Sequence, residues 1–255
     1  MSLAKNHKGV SISTLRILGI LFLALGTAGR CLIQNRMLGM ANTTTSQLLT
    51  LLDQRPELMG VAAVALVLQM VWCCAVPIFA FLLVEGFCHT EDYRKYLLRV
   101  AAVAVASEIP YNLAMGGGIL VTGSRNPAFA LVICLVVLYF YRRYGEKSGR
   151  NFALKAVVTL AAVLWIGMLR IDDGLAVLLL TAVIWALRNK PNFRTLGSCG
   201  AAIACTLISP YYALSALAFI ATHFYNDEKG NGNRLLSYLA YPLVMLAVAV
   251  AGKLM

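Results

Sequence analysis

Gly60-Val-Ala-Ala-Val-Ala-Leu-Val-Leu-Gln-Met-Val-Trp-Cys-Cys-Ala-Val-Pro-Ile-Phe-Ala-Phe-Leu-Leu-Val-Glu-Gly86 decides the fold class of this chain. No charged side chain occurs in it before Glu85. A helix needs about 20 mostly apolar residues to cross a bilayer, and this run exceeds that. Pro77 within it predicts a kinked or tilted helix. The whole chain has the same character: 60% hydrophobic residues, 13% charged residues and a mean hydropathy of +0.76. A soluble domain of this length needs roughly 25% charge to cover its surface. These charges are too few for that surface and the apolar residues too many for one core, so lipid is the missing solvent. No long polar stretch separates two apolar blocks, and residues 1–255 read as a single integral membrane domain.

Working outward, further apolar runs fall at Leu15–Leu32, Tyr96–Met115, Pro127–Tyr144, Phe152–Leu169, Gly174–Leu187, Thr195–Ile208, Tyr211–Phe224 and Leu235–Val250. The expectation is an all-α polytopic transmembrane bundle of about nine spans, its seventh and eighth spans short. A polar loop over Asn35–Glu57 is expected to lie partly as helix on the interface, and Gly116-Gly117-Gly118 to permit an irregular turn. The basic tail Met1–Thr14 lacks a following cleavage site, so the first run reads as an uncleaved span. With the N-terminus inside, Arg30, Arg36, Arg55, Arg125, Arg170 and Lys253 face outward, and the other sixteen of the 22 Lys and Arg face the cytoplasm. That bias accounts for the net charge of +11 without nucleic acid and predicts a multi-pass cell-membrane protein with a cytoplasmic N-terminus. The seven cysteines lie mostly inside apolar runs with no CxxC pair and no histidine cluster, so neither a disulfide framework nor a metal site is expected. Tyrosines near the run ends form an interfacial belt. Trp72, Trp165 and Trp185 are deeper and are expected to pack.

Several polar residues interrupt the apolar runs. Glu85 and His89 lie four apart on one helix face at the expected cytoplasmic end. They read either as an interfacial charged cap or as a site whose basic surroundings bind phosphate. Glu108 lies within the third span, where a carboxylate is costly and usually faces a bundle interior or a wet cavity. Asn112 follows on the same face, with Pro110 between them loosening the helix. Asn126, Arg125, Asp172, Asp173, Gly26 and Thr27 fall at the same outer level. Glu108, Asn112, Asn126 and the Asp pair are therefore expected to converge on one cavity. The alternative makes Glu108 a structural partner of Arg or Asn, and the Asp pair a polar turn with Arg170. No Walker-type or Rossmann glycine pattern occurs.

The block Pro77–Arg99, continued by Ser107-Glu-Ile-Pro-Tyr-Asn-Leu113, resembles the TraX family, membrane proteins named for acetylation of pilin in bacterial conjugation. Asn126, Asp172-Asp173-Gly174 and Tyr241-Pro242-Leu243 extend the resemblance. It implies an acetyl-CoA-dependent membrane acetyltransferase acting on an amine or hydroxyl of a peptide, pilin or glycan acceptor. Asp172 matches the family's Asp, and Asp173 stands where the family usually has an aromatic residue. Gly26-Thr27 and Val244 stand where the family has an Asp-His pair and a C-terminal histidine. Acetyl transfer to an amine needs a base, most often His. The resemblance thus implies weak or absent transfer, with Glu108 as the remaining base and Asn112, Asn126, Asp172, Glu85 and His89 as binding residues. Restoring Asp and His at 26 and 27 is expected to raise activity. Two rival readings remain: a catalytically inactive TraX-like binding or structural protein, and a small-molecule transporter. The transporter reading has no repeated halves in the sequence to support it.

Overall fold

The computed structural model describes residues 9–39, 50, 53–115, 118–119, 123–228, 230 and 234–254. Residues 40–49, 51–52 and 116–117, which hold most of the expected interfacial loop and part of the triple-glycine turn, lie outside these. The described residues form helices and no strand. Helix α1 spans Ile12–Ala28 and runs on as a wider π-helical stretch, Gly29–Met37. Then come α2 (Met59–Cys88), α3 (Tyr93–Met115), α4 (Ala128–Arg143), α5 (Gly149–Leu169), α6 (Gly174–Leu187) and α7 (Pro191–Ala204). A 3-10 helix, Pro210–Leu217, leads into α8 (Ala218–His223), and α9 spans Arg234–Leu254.

Among the described residues, four helical stretches are long and apolar enough to cross a membrane: Ile12–Met37, Pro56–Cys88, Tyr93–Met115 and Gly149–Leu169. The expected eighth span, Tyr211–Phe224, is not a continuous α-helix. Its first half is the tighter 3-10 form, which rises about 2.0 Å per residue against 1.5 Å in an α-helix. The same few residues therefore reach further along the bundle.

Six helices close a ring. Helix α1 packs on α2, α2 on α6, α6 on α4, α4 on α3, α3 on α9, and α9 back on α1. Helices α2 and α3, successive in the chain, meet near their joining turn, where the Tyr96 hydroxyl donates to the Leu83 carbonyl at 3.4 Å, and the interior opens between them beyond it. The α1–α2 contact is close because α1 presents glycines to it. A Cβ at Gly19 would lie 3.2 Å from Ile78, and one at Gly26 would run into Trp72. Small residues let helices approach in a medium where lipid removes the hydrophobic drive between them.

Helix α5 packs outside the ring against α4 and α6. Its outer face is apolar and bare: Leu160 is 60% exposed, Leu164 59%, Trp165 56% and Met168 76%. Such a face fits hydrocarbon, not water. Trp165 was expected to pack and instead lies on that face. Trp72 and Trp185 are buried.

Candidate functional site

One cavity of about 540 Å³ runs inside the helical ring. At one end its wall is polar: Ser13 and Arg16 of α1, Glu85 of α2, His89 and Thr90 of the turn that follows it, Tyr96 and Arg99 of α3, then Tyr225, Asp227 and Tyr238. At the other end stand Trp72, Asp173 and Tyr241. Apolar side chains such as Ala75, Phe79, Val100 and Leu131 line the passage between. Trp72 of α2 and His89, its C-cap, are seventeen residues apart, which at 1.5 Å per residue is about 25 Å.

The polar end is built on an ion pair. The Arg194 guanidinium lies 3.5 Å from the Glu85 carboxylate and 4.9 Å from the centre of the Phe81 ring. His89 contacts the other Glu85 oxygen at 3.5 Å, and its Nδ1 lies 2.9 Å from the Glu85 backbone carbonyl. Gly86 makes room for the Tyr96 ring, since a Cβ there would run into the Tyr96 hydroxyl. The chain around this end is tied by backbone. The Val10 N–H donates to the Phe224 carbonyl (2.8 Å), the Asn226 N–H to the Val10 carbonyl (3.2 Å) and the Ile12 N–H to the Glu228 carbonyl (3.0 Å).

The far end is tied in the same manner. The Arg125 N–H donates to the Arg170 carbonyl (2.9 Å) and the Asp172 N–H to the Arg125 carbonyl (3.0 Å). This locks the α5–α6 turn onto the loop before α4. Within that turn Arg170 and Asp173 both adopt left-handed backbone, with φ of 50° and 56°. The Tyr212 hydroxyl donates to one Asp173 oxygen at 2.6 Å, and the Trp72 indole N–H to the other at 3.0 Å. Burial pushes the Asp173 carboxyl above the ordinary carboxylate range, opposed by the Tyr212 and Trp72 hydrogen bonds; Asp172 pushes it further up and Arg30 opposes. Asp172 accepts from the Tyr111 hydroxyl and faces Arg30 at 4.0 Å. Its cationic neighbour is thus Arg30 and not the expected Arg170.

The residues singled out from sequence divide between cavity and wall. Glu85 and His89 line the cavity. Glu108 and Asn126 meet beside it: the Asn126 N–H donates to Glu108 at 3.3 Å, and Arg125 pairs with the same carboxylate at 3.1 Å. The Asn126 side chain donates to Ser107 Oγ at 2.7 Å and accepts from the Tyr241 hydroxyl at 2.6 Å. Asn126 thus holds in place a tyrosine that does line the cavity. Asn112 donates to the Ile119 carbonyl at 3.3 Å. Glu108, Asn112, Asn126 and Asp172 are not cavity-lining residues; Asp173 is. His89, assigned from sequence to the opposite membrane face from the acceptor end, shares one cavity with it.

Sequence reasoning missed Trp72, Tyr212 and Tyr241 as polar partners, because a Trp or Tyr in an apolar run reads as packing. It also expected Asp and His at 26 and 27 to restore activity. As the helices stand there is no room for it: a Cβ at Gly26 would run into the Trp72 Cβ and lie 2.8 Å from its Cα, so α1 and α2 must move apart to take a side chain there. Thr27 is fully buried, donating to the Leu23 carbonyl at 2.6 Å and facing the Met245 sulfur. His223 is 3.0 Å from Thr195 Oγ1 and edge-on to Phe224. Among the described residues no three His, Cys, Asp or Glu side chains converge as a metal site.

The fold and the cavity define a membrane-type helical bundle enclosing a polar-ended passage. The chain belongs to the TraX family, whose model, described as TraX protein, matches residues 48–251. No curated protein and no solved structure matches the chain.

Proposed function

We propose that this chain is a membrane acyltransferase that takes an acetyl group from acetyl-CoA at the polar end of the cavity. It delivers the group to an amine or hydroxyl of a peptide, pilin or glycan at the Asp173 end, the acceptor expected where the protein serves conjugation. The chain crosses the cell membrane nine times with its N-terminus and the polar cavity end in the cytoplasm. The observation that carries this reading is the single cavity joining Arg16, His89 and Arg99 to Asp173 and Tyr241.

The residues present fit such a donor. Arginine guanidinium groups recognise phosphate through paired N–H donors, and two arginines rim the polar end. The apolar passage suits a thin pantetheine arm and excludes bulk water from the thioester. The volume falls within the ~300–1,000 Å³ common for small-molecule sites. In the transfer, the acceptor nitrogen or oxygen bonds to the acetyl carbonyl carbon, the carbon–sulfur bond breaks, and the leaving sulfur is protonated to give free CoA. Glu108, the base expected from the sequence, would have to leave Arg125 and the Asn126 N–H to serve.

The test is transfer by the purified protein in nanodiscs, using acetyl-CoA labelled in the acetyl group and a short peptide with a free N-terminus or an amino sugar. Labelled acceptor and an equal amount of free CoA are expected. Acetyl-CoA bound without transfer would make the protein a TraX-like binding protein, in keeping with the missing histidines. Absence of both binding and transfer would overturn the reading, and solute uptake into proteoliposomes would then favour a transporter.

A further inference from the structure

Asp173 is set apart from the other acids near the cavity by three observations. The first is place: it lines the cavity at the end opposite Arg16 and Arg99, whereas Glu108 and Asp172 do not line it. The second is its partners. Glu108 is paired with Arg125 and Asp172 faces Arg30, each within 4.0 Å, while Asp173 forms no ion pair among the described residues. Its two oxygens instead each accept one hydrogen bond from a neutral donor, Tyr212 and Trp72. A carboxylate oxygen can accept two, so each oxygen keeps a free lone pair. The third is backbone. Asp173 holds φ of 56° and ψ of 4°, a conformation that costs a residue with a Cβ about 1–3 kcal/mol unless its surroundings fix it. The locked turn and the two donors fix it, and the outcome is a half-buried carboxylate directed by Trp72, itself a cavity wall.

We infer that Asp173 is the proton acceptor of the transfer reaction, held by Trp72 and Tyr212 at the acceptor end of the cavity. The inference rests on the acyltransfer reading. In the step, the acceptor N–H or O–H gives its proton to the Asp173 carboxylate as its nitrogen or oxygen bonds to the acetyl carbon. The electron pair of the breaking carbon–sulfur bond leaves with sulfur. The proton then passes from Asp173 to that thiolate, giving CoA–SH and an ionised Asp173. For a protonated amine, one further proton is lost to solvent before attack. The groups facing Asp173 are Asp172, Arg30, Tyr212, Tyr241, Cys73 and Cys205. An ionised neighbour among the acids and a hydrogen-bonded tyrosine tune its proton affinity from opposite directions.

The test compares wild type, Asp173→Asn and Asp173→Glu in nanodiscs. It measures acetyl-CoA binding by equilibrium dialysis, acetyl transfer to a peptide amine, and labelling by the apolar carbodiimide dicyclohexylcarbodiimide, mapped by mass spectrometry. Asp173→Asn is expected to bind acetyl-CoA as wild type does and to lose about 100-fold or more in kcat, with the acid limb of the pH profile removed. Asp173→Glu should recover part of the rate, and the carbodiimide should add to Asp173 and be blocked by acetyl-CoA. A wild-type rate in Asp173→Asn overturns the inference while leaving the acyltransferase reading intact. Labelling of Asp173 in a protein that binds no acetyl-CoA overturns the donor and supports the reactive carboxylate. Binding without labelling or turnover overturns the inference.

Discussion

At the residue scale the far end of the cavity depends on one missing side chain. Gly26 lets α1 touch Trp72, and Trp72 in turn holds Asp173. Gly26→Ala forces a Cβ into that contact and should cost about 1–3 kcal/mol by overpacking, despite the better helix propensity of Ala. Gly200, where a Cβ meets nothing, is the control: Gly200→Ala should be neutral or stabilising. Thermal unfolding of the two variants in one detergent checks the pair. Asp173 also sets a pH dependence. Burial raises its folded pKa above the unfolded value of about 3.9. Its contribution to stability is therefore complete below that value and is lost as pH rises through the folded pKa. The stability of wild type relative to Asp173→Asn should accordingly rise as pH falls from about 7 towards 4. A difference that stays flat over that range would show that the carboxyl is not shifted upward.

At the element scale two features deserve separate tests, one facing inward and one outward. The Glu85–Arg194 pair ties α2 to α7 with both side chains largely buried. Arg194→Ala leaves a carboxylate without its main partner and should cost about 3–5 kcal/mol, while the double change Glu85→Leu with Arg194→Met should recover most of that. Denaturant unfolding of the single and double variants decides it. On α5, Leu164 lies on the bare apolar face. Leu164→Lys places a charge against hydrocarbon at about 2.5–3.5 kcal/mol and should lower the yield of inserted protein, whereas Leu164→Ile should not. Elements were the most legible level in the sequence. Each apolar run became helix because an isolated backbone in lipid must satisfy its hydrogen bonds within the segment. The eighth run departed from the α-helix, since Pro210 and the short length are met by 3-10 geometry, which hydropathy does not encode. The site was less legible. Glu85, His89 and Glu108 stood out as charges among apolar residues, and two of the three line the cavity. Of the Asp pair expected at the cavity, Asp172 rather than Asp173 was taken as the binding residue, because which of two adjacent acids turns inward is set by a left-handed turn and by partners up to 101 residues away.

At the scale of the whole molecule, one passage joins an end carrying Arg16, His89 and Arg99 to an end carrying Asp173. Its orientation makes a separate prediction: a cysteine placed in the 145–149 loop should react with an impermeant maleimide only from the cytoplasmic side, and reaction from outside would end the nine-span arrangement. The central claim is that the cavity holds acetyl-CoA, and it is tested most directly by equilibrium binding of radiolabelled acetyl-CoA to the purified protein and to Ala75→Trp. Ala75 lines the passage about one helical turn from Trp72 on the way to the polar end, so a Trp there plugs it between the two ends. The account predicts saturable binding of one acetyl-CoA per wild-type chain, lost in an Ala75→Trp protein that still unfolds cooperatively. Absence of saturable binding to wild type, or binding unchanged in the plugged variant, would contradict it.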